Sequence, residues 1–479
     1  MYGIPIPPTQ AVEPDQLANP ALPPASIGVR RARLLVRRVR GDSLLRNSVY
    51  GMATTAATSA LGYLYWIMAA RVYPARDVGL GAALVAAMTL ASSFSSLGFG
   101  ATLVRLLPRR TASRAWSTLL NAGLACGVAT GLVAGLMTVL ILPMTVHALA
   151  DPWRRPLMTA LLVCGVPLWT ASTLLDAAFL SARAAGNILA RNTVFSALKA
   201  PLLVAPLVVS PHGADGATVI VGSWVLATAL ALIAGFVLLR RVKPDYDPLA
   251  WRVGADIRVL RGSLAAQQLI DLGGAAPLYL LPLLVTARLS PAQNAYFYTT
   301  WMIGGLFFAV SPAVASALFA EAAYVVGDKS VGTAARSALA LSAALLGPVI
   351  VLMLLRGSLV LGLFGPAYPR YGTVLLALLV ISAVPDAITN IYVGVGRGGA
   401  RPSHAAALNL AMAATTLVLA WLLLPILGIA GAGWAWLAAQ TAGSVAVGAG
   451  VLSRRGQAGD VTLAVSGAPE QNEGTRPLF

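Results

Sequence analysis

Apolar stretches of about 20 residues or more recur twelve times along the chain, separated by short polar segments, and each can cross the ~30 Å hydrocarbon core as a helix. In the first half they cover residues 47–70, 78–104, 115–142, 156–182, 188–210 and 217–239. In the second they cover 260–287, 292–320, 333–355, 372–395, 403–424 and 431–452. Short sequences return at a near-constant interval. Ala70-Arg71-Val72-Tyr73-Pro74-Ala75 after the first window returns as Ala287-Arg288-Leu289-Ser290-Pro291-Ala292 after the seventh, 217 residues on. Arg240-Arg241 returns as Arg454-Arg455, and Gly213-Ala214-Asp215-Gly216-Ala217 as Gly428-Ile429-Ala430-Gly431-Ala432, at offsets of 214 and 215. The pattern predicts an all-α polytopic membrane protein of about twelve transmembrane helices, in two six-helix lobes around a central cavity. An even number of helices per copy gives both lobes the same orientation, related by an axis along the membrane normal. The predicted organisation is a Pro- and Arg-rich tail over 1–43, an N-lobe over 44–241, an inter-lobe linker over 242–258, a C-lobe over 259–455 and a second tail over 456–479.

Composition fixes the solvent. A chain that is 58% hydrophobic and 11% charged, with mean hydropathy +0.77, is a bilayer protein and not a soluble globular domain. The formal charge of +17 would suit nucleic acid, but the arginines fall singly or in short clusters between apolar windows, which encodes topology instead. Nucleic acid is therefore not an expected partner. Cys126 and Cys164 both lie inside apolar windows without nearby histidine, so neither a disulfide framework nor a metal site is expected. Residues 1–28 hold seven prolines and no apolar run, which reads as a disordered tail and not as a cleaved secretory signal.

Lys and Arg sort by side. Arg30, Arg31, Arg33, Arg37, Arg38, Arg40 and Arg46 precede the first window, Arg105, Arg109, Arg110 and Arg114 follow the second, and Arg183, Arg191, Arg252, Arg258 and Arg261 continue on the same side. The positive-inside rule places both termini and the even-numbered loops in the cytoplasm. The excess of Arg over Lys suits a GC-rich bacterial genome, and the expected location is the bacterial cytoplasmic membrane, crossed many times.

Several stretches resemble the bacterial polysaccharide flippases, similar to O-antigen translocases, within the multidrug/oligosaccharidyl-lipid/polysaccharide exporter superfamily. They are Asn47 at the first helix, Ala70-Arg71-Val72-Tyr73-Pro74 through Val78-Gly79, Ser96-Leu97-Gly98-Phe99-Gly100 through Leu103-Val104-Arg105, and Leu363-Phe364-Gly365-Pro366-Ala367-Tyr368. The chain departs from that pattern at Tyr73, where a glycine often precedes the proline. The resemblance implies flipping of a polyprenyl-phosphate-linked saccharide from the cytoplasmic to the outer leaflet, for cell-envelope polysaccharide synthesis. It further implies membrane lipids, and glycosyltransferases or a polymerase of the same pathway, as partners. Neither cofactor nor covalent catalysis is expected: no Walker-type loop is written, and His147, His212 and His404 are scattered. A multidrug and toxin extrusion antiporter and a scaffold for envelope synthases are the alternative readings.

Ionisable side chains inside hydrocarbon must face a cavity or a partner, and four fall there: Asp176, Lys199, Asp271 and Asp386. Gln267 and Asp271 are four residues apart, as are Asp386 and Asn390, so each carboxylate lies on a polar helical stripe suited to sugar hydroxyls or a coupling ion. Lys199 is placed to meet a diphosphate, or in a purely structural reading to pair with Asp176. Arg46 and Arg261 open the first helix of each lobe, where they would attract an anionic headgroup. Gly123, Gly127, Gly131 and Gly135 form a close-packing stripe on the third helix, and Gly273-Gly274 with Pro277 and Pro282 predict a break in the seventh.

Overall fold

The computed structural model describes residues 43–96, 98–145, 156–209, 215–251, 265–322, 328–398 and 402–466. Within these, side chains are described except over 43–49, 265–272, 316–322, 328–332, 395–398 and 451–466 and at four single positions beside such segments. Among the described residues the regular structure is entirely helical. Twelve long helices follow in order: α1 (Ser43–Val72), α2 (Ala75–Ser95), α3 (Ser113–Thr145), α4 (Pro156–Ser181), α5 (Ala185–Val209), α6 (Gly216–Val242), α7 (Ala265–Arg288), α8 (Pro291–Ala322), α9 (Asp328–Gly362), α10 (Ala367–Gly398), α11 (Pro402–Leu427) and α12 (Ala430–Ser466). The described parts of nine of them are long and apolar enough to cross a membrane.

The packing repeats as the sequence does. Within the first six helices α1 packs on α5, α3 on α4, and α4 and α5 on α6; within the second six α7 packs on α11, α9 on α10, and α10 and α11 on α12. Between lipid-facing helices there is no hydrophobic drive to associate, so close backbone approach does the work. The glycine stripe of α3 supplies it: a Cβ at Gly131 would lie 2.7 Å from Cα of Pro167, and one at Gly135 3.0 Å from the carbonyl oxygen of Val163, both on α4.

The lobes meet chiefly where α2 crosses α7 and α8. At the α1–α2 end of this seam a Cβ on Gly79 would fall 1.7 Å from the carbonyl oxygen of Pro291, so only glycine permits the crossing. Buried Asn294 donates to the Gly79 carbonyl at 2.7 Å. Arg71, in the last turn of α1, donates to the carbonyls of Leu363 and Gly362 at 2.9 and 3.0 Å, tying α1 to the end of α9. The side of the α1–α2 turn is therefore stitched between the lobes.

Two sequence expectations change. The window over 78–104 is not one helix: α2 stops at Ser95, Gly98 takes a left-handed φ of 75°, and a short helix, Phe99–Leu106, continues in a new direction. Left-handed backbone favours glycine, which is why the chain turns there. The break predicted in α7 is absent instead, since the helix runs through both Pro277 and Pro282. Each proline removes one backbone donor without ending the helix, as neighbouring helices in a membrane bundle permit.

The linker is also less free than its prolines suggest. Asn121 of α3 donates to the carbonyls of Asp247 and Ala250, each at 3.0 Å, and accepts from the Tyr246 hydroxyl at 2.7 Å. Ser117 accepts from the Asp247 amide, and burial raises the Tyr246 phenol above its usual range, which keeps it a donor. Residues 246–250 are thus strapped to the N-lobe.

Candidate functional site

Each lobe contains a polar cavity, and the two carry opposite charge. The N-lobe cavity, about 480 Å³, lies between α1, α4, α5 and α6 and is closed on one side by α8 of the other lobe. Lys199 projects from α5 into it, only 3% exposed. Its Nζ lies 4.2 Å from the ring centroid of Trp224, 4.5 Å from that of Phe195 and 5.1 Å from that of Tyr65. Tyr65 is fixed in turn by a 2.8 Å hydrogen bond with Ser223, and Trp169 packs against both Phe195 and Trp224. Aromatic faces attract a cation through their quadrupole, which offsets part of its desolvation. They supply no negative charge, and among the described residues no carboxylate pairs with Lys199.

Asp176 pairs elsewhere. Its Oδ2 accepts from Arg191 at 2.7 Å, and the same guanidinium donates to Asn192 at 2.6 Å and to the Ser172 hydroxyl. This pair sits in the same cavity as Lys199 but nearer the α4–α5 turn. A Lys199–Asp176 pair is therefore not formed. Asp176 and Arg191 stand almost equally far from Arg183, whose left-handed φ of 54° reverses the chain, so they face each other across an antiparallel hairpin. That equal spacing was the available signal for Arg191, which sequence reasoning had counted only toward topology. The Asp176 Oδ1 and Arg191 Nε atoms are buried without hydrogen-bond partners.

The C-lobe cavity, about 420 Å³, lies between α7, α8, α10, α11 and α12. Asp386, 3% exposed, accepts from Asn390 at 2.7 Å, as the shared helical stripe predicts, and from the Ser311 hydroxyl at 3.5 Å. Thr389 donates to Gln440 at 2.9 Å, and Asn409 completes the polar wall. No Lys or Arg lines it among the described residues. Ser311, Asn409 and Gln440 were not singled out from sequence, because isolated neutral polar residues in apolar helices carry no pattern.

Among the other predicted site residues, Arg46 falls in α1 and Gln267 and Asp271 in α7, but their side chains lie outside the described residues, as does Arg261 altogether.

The two cavities occupy equivalent positions. The echo of Ala70-Arg71 at Ala287-Arg288 sets the offset between the lobes at 217 residues. At that offset Asp176 corresponds to Val393, Arg191 to Leu408, Asn192 to Asn409, Lys199 to Thr416 and Trp169 to Asp386. The asparagine persists, whereas every charge is private to one lobe.

Residues 44–249 match the model of a family described as polysaccharide biosynthesis protein. No curated protein matches the chain. Among solved structures, the lipid II flippase MurJ in an inward closed conformation is 11% identical, with a TM-score of 0.66, covering 84% of this chain and 87% of that one. An inward-facing multidrug resistance MATE transporter of the MOP superfamily is 14% identical, with a TM-score of 0.59 and coverage of 84% and 92%. A MOP superfamily transporter from Pyrococcus furiosus, whose binding pocket is described as reversed in polarity, is 12% identical with a TM-score of 0.59 over 85% and 93%. The helical membrane fold read from the sequence is borne out, and so is the resemblance over residues 44–249: this chain is a multi-pass membrane protein that shares the fold of these solved structures, and its N-terminal part matches the polysaccharide biosynthesis family.

Proposed function

We propose that the protein flips an anionic polyprenyl-phosphate-linked saccharide from the cytoplasmic to the outer leaflet by alternating access. One observation carries the reading: Lys199 is a buried cation with aromatic walls and no carboxylate partner among the described residues, in a cavity large enough for a headgroup. An unpaired ammonium in low dielectric is a standing cost unless an anion completes it, and a phosphate oxygen would do so through a charge-assisted hydrogen bond. The aromatic rings offer sugar faces a stacking surface, and Asn192 and Ser196 offer hydroxyl partners. Family and fold support the same substrate class, since the matched family is one of polysaccharide biosynthesis and MurJ is named a lipid II flippase.

Asp386 fits a second role in this scheme. A buried carboxylate surrounded by neutral hydroxyls and amides is suited to take up a proton or small cation, and its lobe is the one that crosses α2 at the inter-lobe seam. Asp271 and Gln267 belong to the same proposed ion or substrate path, and Arg46 and Arg261 to headgroup capture. In this reading the positive-inside pattern makes the stitched α1–α2 side the outer one, with both termini in the bacterial cytoplasm. Pathway glycosyltransferases would deliver the substrate.

A drug antiporter is favoured by one feature, the acidic C-lobe cavity, because organic cations need a carboxylate. Binding separates the two. Purified protein should be stabilised against heat by an undecaprenyl diphosphate disaccharide and not by ethidium, and Lys199→Thr should remove that stabilisation. Stabilisation by ethidium alone, dependent on Asp386, would replace this proposal with the antiporter.

A further inference from the structure

Outside the N-lobe cavity, across the seam between α1 and α8, lies a groove of about 390 Å³ walled by α1, α8 and α9. Its lining is aliphatic or aromatic throughout, including Ile67, Leu306, Phe307, Leu345, Val349 and Met353. Tyr63 and Leu306 line both this groove and the Lys199 cavity, so one layer of side chains divides them. That layer is thin. Gly62 on α1 and Gly305 on α8 border the cavity with nothing within 4 Å of where a Cβ would stand. Among the described residues one hydrogen bond, from the Tyr63 hydroxyl to the Met302 carbonyl at 2.6 Å, joins α1 to α8 there. The pairing of an apolar slot with a cationic chamber, set side by side along one seam, matches a molecule whose charged head and long apolar tail are covalently joined.

We propose that the groove between α1, α8 and α9 seats the isoprenoid tail of the substrate while its anionic head occupies the Lys199 cavity. The inference rests on the lipid-linked saccharide reading above and adds where the tail lies. A headgroup cannot sit at Lys199 with its tail in hydrocarbon unless the chain leaves through a wall of the cavity, and the wall at Tyr63 and Leu306 opens directly onto an apolar slot. Bulk lipid would fill the same groove without regard to Lys199. A tethered tail would depend on it.

The test uses the full chain in detergent, with p-benzoylphenylalanine introduced either at Leu345 in the groove or at Ala309 in the cavity wall. The probe is tritiated undecaprenyl diphosphate N-acetylglucosamine, with tritiated dioleoylphosphatidylglycerol as control. Both reporters should crosslink the polyprenyl probe, and Lys199→Thr should lower its yield at Leu345 by about tenfold, the worth of one lost hydrogen bond to a charged group. Phosphatidylglycerol labelling at Leu345 should not respond to Lys199→Thr. Labelling at Ala309 without labelling at Leu345, or labelling at Leu345 that ignores Lys199, overturns the tail site and leaves the substrate reading intact. Absence of polyprenyl labelling at both positions overturns the substrate reading and the tail site with it.

Discussion

The N-lobe and C-lobe cavities are two outcomes of one architecture. Both are built from equivalent helices, both keep an asparagine at the same place, Asn192 and Asn409, and both are walled by a tryptophan from the last helix of the lobe, Trp224 and Trp436. Their charges differ completely: among the described residues the first holds Lys199 and an Arg191–Asp176 pair, the second Asp386 with neutral partners. The two lobes share a packing scheme and differ in chemistry at a handful of positions. Buried charge is the expensive element in a membrane, so where it differs between repeats is where function is to be sought.

That contrast separates charges that hold the fold from charges that bind, and exchanging residues between lobes tests it. The largest effect belongs to the pair. Arg191→Leu, which installs the residue of the C-lobe, leaves the partly buried Asp176 without its cation and should cost up to about 3 kcal/mol, seen as lost abundance and a lowered melting temperature in detergent. Adding Asp176→Val, again the C-lobe residue, should recover most of that loss. A double mutant no more stable than the single would show that the pair is not a structural unit.

A smaller effect is expected at Asp386. Replacement by Leu removes the acceptor for Asn390 and Ser311, leaving them only their 3.5 Å contact with each other, at about 1–3 kcal/mol, whereas Asp386→Asn keeps an acceptor and should hold stability near wild type while transport falls. Equal stability of the Leu and Asn variants would argue that these hydrogen bonds contribute nothing. The smallest stability effect belongs to Lys199. Because the ammonium has no carboxylate partner among the described residues, Lys199→Thr should leave the melting temperature unchanged or raise it. A marked fall would reveal an anionic partner and move Lys199 into the same structural class as Arg191.

Much of this was legible in the sequence because hydropathy and repeats are strong signals. Twelve windows became twelve long helices, and the 217-residue echo of Ala70-Arg71 became a repeated packing scheme. Lys199, Asp176, Asp386 and Asn390 reach cavities because charge and amide groups in hydrocarbon have few other places to go. Partner choice was not legible. Whether Asp176 would meet Lys199 or Arg191 depends on the angle at which the α4–α5 hairpin turns at Arg183, a property of one left-handed residue. The aromatic walls were hidden for another reason: Trp169, Phe195 and Trp224 are common in membrane helices, and only packing shows that they converge on one ammonium. Likewise, nothing in Pro244 and Pro248 announces that the linker is strapped to Asn121.

Lys199 is proposed to hold the headgroup of an anionic lipid-linked saccharide. Its most direct test is the movement of a fluorescent undecaprenyl diphosphate disaccharide across proteoliposomes containing matched amounts of wild-type protein and Lys199→Thr, scored by accessibility of the headgroup to an impermeant quencher. Exchange should be rapid with wild type and at background with Lys199→Thr, and the variant should melt no lower than wild type. Exchange by Lys199→Thr at the wild-type rate would contradict it.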